Sequence, residues 1–207
     1  MATRTRQPAK TASRARQAPQ PRQVLGRDAW LEAARRALIE EGTAGVEVNK
    51  LAKRLEVTRG GFYWFFESRE QLLDALLDFW VQTSTAPFER IATDPEKTAP
   101  QKFQMLVDLW LDEKEYDPKW DGAIRDWGRT SSKVFDAVHA VDDQRIGFIE
   151  GLFGELGYKG KEAHVRARVT YYHQVGYYAL GVRESRKQRL ELLPYYTKVL
   201  TQRDVDA

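Results

Sequence analysis

A chain of 207 residues with 42% hydrophobic side chains is long enough to bury a core unaided, and its lack of cysteine excludes disulfides, thiol catalysis and thiolate metal sites. No run of about 18 or more apolar residues occurs and the N-terminus lacks the apolar stretch of a secretory signal, so no membrane partner and a cytoplasmic location are expected. The net charge of +3 is uneven: residues 1 to 26 contribute +6, residues 27 to 80 contribute −2 and residues 81 to 207 contribute −1.

Residues 1–26 carry six Lys and Arg, no acid and almost nothing to bury, which predicts a disordered basic tail. From Arg27 the pattern becomes helical. Trp30, Ala33, Ala34, Ala37 and Leu38 form one buried stripe with Gly42 as the stop, which predicts a helix over about 27 to 41. A second, short helix fits 47 to 54, with Val48, Leu51, Ala52 and Leu55 inward and Asn49, Lys50, Lys53 and Arg54 outward. After a turn at 55 to 57, Thr58 is placed to cap a third short helix, and Ser68 with Gln71 has the capping-box spacing for a fourth. The stripe of that fourth helix is Leu72, Leu73, Leu76, Leu77 and Trp80.

Beyond Pro87 the period stays helical. Phe103 to Leu111 marks one helix and Trp120, Ile124 and Trp127 a shorter one starting near Pro118. Val134 to Leu156 marks a further run, and a last pair is expected over about 161 to 184 and 187 to 202, with Pro194 kinking the latter or delaying its start. No alternating strand pattern and no repeat is found. The fold class is therefore all-α, with about nine helices: a helix-turn-helix domain over 27–80 and a helical domain over 81–207.

Two short helices, a tight turn and an outward basic cluster are the layout of a helix-turn-helix that binds double-stranded DNA. Gly60 and Gly61 at the start of the recognition segment let backbone approach a phosphate, and Thr58 and Arg59 add a hydroxyl and a charge. Phe62, Phe65 and Phe66 have inward spacing, while Tyr63 and Trp64 face outward to phosphate or sugar. Between 50 and 69 the local charge is +3. The alternative for the aromatic run is ordinary core.

The block LAKRLEVTRGGFYWFFESREQLLDALL resembles the N-terminal domain of the tetracycline-repressor (TetR) family, whose pattern runs IA-x-x-AGVS-x-GTLY-x-x-F-x-x-K-x-x-L. Leu51 and Ala52 stand at the Ile-Ala pair, and Val57, Thr58, Arg59 and Gly60 at Val-Ser-x-Gly. Tyr63 stands at the phosphate-binding tyrosine, Phe66 at the core phenylalanine and Arg69 at the backbone-touching lysine. Four positions depart from the pattern: Glu56 occupies the glycine of the turn, Glu47 a capping threonine, and Gly61 and Trp64 a threonine and a histidine near the DNA. The resemblance implies DNA contacts from Lys50, Thr58, Arg59, Gly60, Gly61, Tyr63, Trp64 and Arg69.

The segments WDGAIRDWGR, DDQRIGFIEGLFGELGY and KEAHVRARVTYYHQVGYYALG are similar to a subset of the same family, in which the second domain dimerises and encloses an effector. Trp80, Phe103, Trp110, Trp120 and Trp127 are expected to line one pocket for a small apolar or aromatic effector of low charge. Tyr172, Gly176, Ala179 and Leu180 are expected in the homodimer interface, where low ridges suit close helix packing. Asp121 and Arg125 read as a solvated surface pair and Asp142 as a helix-capping carboxylate. His164 and His173 fall on opposite faces of one helix, while His139 and Asp143 share a face. No enzyme, metal or cofactor is expected. The function implied is a homodimeric repressor released from a palindromic operator by its effector. The alternatives are a constitutive DNA binder, an activator, or an all-α enzyme with a pocket in the second domain.

Overall fold

The computed structural model describes residues 25–202, and the expected basic tail lies almost wholly outside them. Nine α-helices and no strand are found among the described residues. They are α1 (Arg27–Glu41), α2 (Val48–Arg54), α3 (Arg69–Ser84), α4 (Ala86–Thr93), α5 (Ala99–Asp112), α6 (Pro118–Gly128), α7 (Ser132–Glu155), α8 (Lys161–Ala179) and α9 (Arg186–Thr201). Short 3-10 helices at Gly42–Gly45 and Arg59–Trp64 follow α1 and α2.

Local chemistry sets most helix ends. Gly42, at φ 68°, stops α1 by donating its N–H to the Leu38 carbonyl. Ser68 Oγ accepts the Gln71 N–H at 3.2 Å, and the Gln71 side chain accepts from the Glu67 N–H, so α3 begins where the capping box predicts. Asp117 caps α6 by accepting from the N–H groups of Lys119 and Trp120, and Pro118 fills the first turn, where no N–H is needed. Two expectations shift. α8 ends at Ala179 because Gly181, at φ 61°, closes a Schellman turn in which Val182 N–H donates to Tyr177 O and Gly181 N–H to Tyr178 O. α9 runs from Arg186 to Thr201 with Pro194 inside it, so the delayed start does not occur, and Ser185 and Gln188 form a capping box.

Apolar side chains gather into two cores. The first joins Trp30, Leu38, Leu51, Phe62, Phe66, Leu72, Leu76 and Trp80 to Trp120 and Ile124 of α6 and to Val134, Val138 and Val141 of α7. The second joins Phe88, Phe103, Leu106, Trp110, Ile149, Phe153, Ala167 and Tyr171 across α4, α5, α7 and α8. The first core thus continues past residue 80. The fourth predicted helix, now α3, is accordingly not alone in linking the N-terminal helices to the rest, because α6 packs directly on α1 and on the Gly42–Gly45 turn.

Candidate nucleic-acid interface and cavities

The turn after α2 is a Schellman motif without its usual glycine. Val57 N–H donates to Ala52 O and Glu56 N–H to Lys53 O, while Glu56 itself is left-handed at φ 55°. This turn swings the chain into Arg59–Trp64, expected as a short α-helix and found as a tighter 3-10 helix. The Thr58 hydroxyl makes no capping bond there; its carbonyl instead accepts from Gly61 N–H at 3.0 Å.

Aromatic side chains anchor that segment. Phe62 is fully buried, stacked on Phe66 with ring centroids 5.4 Å apart and edge-on to Trp30 at 5.3 Å. The outward pair behaves differently: Tyr63 is 49% exposed and Trp64 85% exposed. Arg59 lies over the Tyr63 ring, and its Nη2 donates to the Tyr63 hydroxyl at 2.7 Å, so a cation and a phenol are held together on the surface. The glycine pair is not required by the fold. A Cβ on Gly60 or Gly61 would meet nothing nearer than 3.8 Å, and neither has a positive φ. Bare backbone at this point is therefore a property of the exposed surface.

The basic cluster is partly spoken for. Lys50 pairs with Glu41 and Glu47 at 3.3 and 3.4 Å, and these acids hold its pKa above the ordinary lysine value. Arg54 pairs with Glu40 and Glu41, tying α2 to the end of α1. Arg69, expected to touch a DNA backbone, donates from Nε to Val46 O at 2.6 Å and from Nη2 to Thr43 O at 2.5 Å, locking the loop before α2 onto the start of α3. Among the described residues Lys53 is exposed and in no ion pair, and Arg59 is bound only to Tyr63.

The five aromatic residues expected around one pocket do not converge. Trp127 lines an open groove of about 730 Å³ beside α1 and α8. Phe103 and Trp110 line a cavity of about 70 Å³ between α5, α8 and α9. Trp80 and Trp120 line a third, of about 280 Å³, where α1, α3, α6 and α7 meet. The five side chains come from three helices, α3, α5 and α6, and which neighbouring helices each one meets is not encoded by periodicity within a single helix.

Sequence reasoning also missed a buried ionic network. Asp121 and Arg125, expected on the surface, are buried and half-buried. Asp121 accepts from Arg125 Nε at 2.8 Å and from Arg145 Nη1 at 2.9 Å. Arg125 also grips Asp142 through both terminal nitrogens, at 2.8 and 2.6 Å, so Asp142 is a mid-helix partner of α7 and not a cap. Arg145 of α7, 1% exposed, donates Nε and Nη2 to the Ser84 carbonyl at 3.2 and 3.0 Å, fastening the last residue of α3 to α7. Tyr171 of α8 closes the network onto Asp142 at 2.7 Å. Burial opposes ionisation of Asp121, but the guanidinium groups of Arg145 and Arg125 outweigh it and keep the carboxyl below its ordinary range. Burial raises the Tyr116 and Tyr171 hydroxyls, which stay protonated donors. The signal that was available was the i, i+4 spacing of Asp121 and Arg125; their burial was not. Among the described residues no three His, Asp or Glu side chains form a metal-binding group.

The remaining surface feature is an apolar face. On α8, Val165, Val169 and Tyr172 are each about half-exposed, and Leu180 just beyond is 82% exposed. On α9, Tyr195 and Val199 are 70% and 75% exposed. Tyr172, Ala179 and Leu180 are exposed and Gly176 partly so, as the expected interface requires, and a Cβ on Gly176 would meet nothing within 4 Å. Val165 and Val169 lengthen the apolar stripe of α8, and Tyr195 and Val199 form a second one on α9; both pairs have i, i+4 spacing.

An all-helical chain with a helix-turn-helix at its N-terminus and further helices behind it has the architecture of a helix-turn-helix protein with a second helical region. Residues 31–76 match the family described as bacterial regulatory proteins, tetR family. Two proteins of Pseudomonas putida, the HTH-type transcriptional regulator TtgR and the probable HTH-type transcriptional regulator ArpR, are each 42% identical over 48 residues. Those matches cover 23% of this chain and 23% of either relative. The fold is shared more widely. A TetR transcriptional regulator from Legionella pneumophila superposes with a TM-score of 0.62 at 15% identity, over 84% of this chain and 92% of that one. A regulator from Aquifex aeolicus VF5 does so with a TM-score of 0.63 at 18% identity, over 84% and 98%. Residues 31–76 thus carry the sequence of a TetR-family N-terminal domain, and the chain shares its fold with solved TetR regulators.

Proposed function

We propose that the chain acts in the cytoplasm as a homodimeric repressor that binds a palindromic operator and is released by a small molecule. The observation that carries the DNA-binding part is the outward side of the segment Thr58–Trp64, anchored by buried Phe62. It presents bare Gly60–Gly61 backbone, the Arg59–Tyr63 pair and an exposed indole, and Lys53 of the preceding helix is exposed and unpaired. Phosphate contacts fall to Lys53, Arg59 and Tyr63, with Thr58, the two glycines and Trp64 beside them, whereas Lys50 reaches DNA only by leaving Glu41 and Glu47. Arg69 positions the loop before α2. The apolar stripes on α8 and α9 support dimerisation, since two such helices from each of two copies form a self-complementary four-helix interface. That pairing would set two recognition segments about one helical turn of DNA apart.

Selection from a random duplex pool tests this reading. The expected product is an enriched palindrome whose affinity falls steeply with salt, at a slope near −0.9 per phosphate contact. A Lys53→Ala/Arg59→Ala variant should weaken binding to all sequences alike and flatten that slope. If the folded protein enriches no sequence, the reading fails. Transcription from a promoter overlapping the selected site then separates repression from activation.

A further inference from the structure

Five buried side-chain polar atoms lack a hydrogen-bond partner among the described residues, and all five belong to residues lining two of the cavities. Trp110 Nε1, Thr170 Oγ1 and Gln174 Nε2 line the cavity of about 70 Å³, room for a few waters. Ser84 Oγ and Trp120 Nε1 line the cavity of about 280 Å³. The large groove beside Trp127 has none. Buried polar groups in native proteins are nearly always satisfied, so a ligand-sized cavity with two orphans calls for an occupant.

We infer that the cavity between α1, α3, α6 and α7 is the effector site, and that it takes a neutral, flat, largely apolar heteroaromatic compound bearing one hydrogen-bond acceptor. This rests on the proposal that the protein has an effector. Each property of the ligand follows from a wall. Trp80, Trp120 and Tyr116 supply aromatic surfaces. The Trp120 indole N–H can only donate, and the Ser84 hydroxyl is free to donate as well, so the ligand must accept. The charges on the walls are already matched. Glu32 and Asp117 hold Arg35, Glu115 holds Arg90, Lys114 lies near Asp112, and Asp121 holds Arg145 and Arg125. A charged ligand would be partly desolvated with no counter-charge to meet it.

The location also supplies a route to the DNA. Arg35 of α1 reaches across to Asp117 and lies over the Trp120 ring, while Arg145 holds the Ser84 carbonyl, so the cavity is bounded by the N-terminal helices on one side and by α6 and α7 on the other. A ligand there touches both sides, and its affinity must change when one moves relative to the other. That differential affinity is what release requires.

The test uses the full-length chain labelled with ¹⁵N at its six tryptophans, coumarin as the neutral probe and 2-naphthoate as its charged counterpart. Each indole N–H signal is assigned with a Trp→Phe variant. Coumarin should shift the Trp120 and Trp80 signals saturably, and naphthoate should leave them in place. Trp120→Phe keeps the ring but removes the donor and should weaken coumarin about tenfold, read at Trp80. Ser84→Ala, a milder change, should weaken it severalfold and keeps the test open if Trp120→Phe does not fold. The inference is overturned if the Trp120 and Trp80 signals stay still to the solubility limit of coumarin, leaving a cavity that holds water only. It is equally overturned if coumarin moves Trp110 or Trp127 instead, or binds Trp120→Phe unchanged. Operator affinity is measured separately: an occupied cavity with unchanged operator affinity upholds the site and removes the effector reading.

Discussion

Two acidic residues show how differently one side chain can act here. Glu56 sits at φ 55° in a turn where glycine carries no Cβ penalty, so Glu56→Gly should stabilise the protein by about 1 kcal/mol, raising the melting temperature by about 2 to 4 °C. No hydrogen bond is lost, because the Schellman bonds are made by backbone; a lower melting temperature would refute this account of the turn. Asp121 is the opposite case. Removing its charge leaves Arg145 buried without its main counter-ion, and Asp121→Asn should cost about 3 to 5 kcal/mol in denaturant unfolding. The pH dependence follows from the same pairing. Because the folded-state pKa lies below the ordinary 3.8, the contribution is complete above about pH 5 and is lost as pH falls through the folded value. The wild-type stability should therefore drop more steeply below pH 4 than that of Asp121→Asn, and parallel curves would show that Asp121 is not ionised.

At the scale of elements, α8 and α9 present apolar stripes that a lone copy leaves in water. Val169→Asp together with Tyr195→Asp places charge in the middle of both stripes without disturbing either buried core. The expected product is a folded monomer by sedimentation, with native helicity and operator affinity reduced at least a hundredfold, since a single half-site loses the second recognition segment. An unchanged dimer would place the interface elsewhere. The elements themselves were legible wherever a cap and a stripe agreed: α1 with its Gly42 stop, and α3 with Ser68 and Gln71. Of the two outcomes expected of Pro194, a delayed start does not occur, because the Ser185–Gln188 capping box starts α9 eight residues before it. The end of α8 was placed too late, because Gly181 stood among tyrosines that continue the helical pattern.

For the whole molecule, charge and connection matter more than any single contact. Since residues 27–207 carry a net charge of −3, the proposed DNA binding draws its long-range attraction from residues 1–26 and from the few unpaired cations near Thr58–Trp64. Deleting residues 1–22 should flatten the dependence of operator binding on salt while leaving sequence preference intact. Loss of preference would mean that this segment reads bases. Signals between the two halves have two routes, α3 through Ser84 and α6 through its packing on α1, and the Arg145 network ties the two together.

The N-terminal half was readable in sequence because its determinants are local: helix stripes, two caps, a tight turn and a run of aromatics whose inward and outward members differ by position along one short helix. The same holds for the charge imbalance and for the exclusion of thiol chemistry, which need no coordinates. Tertiary structure alone decided which cations are engaged, since Lys50 and Arg54 are paired with acids nine to fourteen residues away and Arg69 is hydrogen-bonded to carbonyls more than twenty away. It also decided that five aromatic residues fall around three cavities and that Asp121, Arg125, Asp142 and Arg145 meet in the interior. Periodicity tells which face of a helix is buried; which other faces it meets depends on how the helices are rotated and crossed, and that is set by the packing of the whole chain.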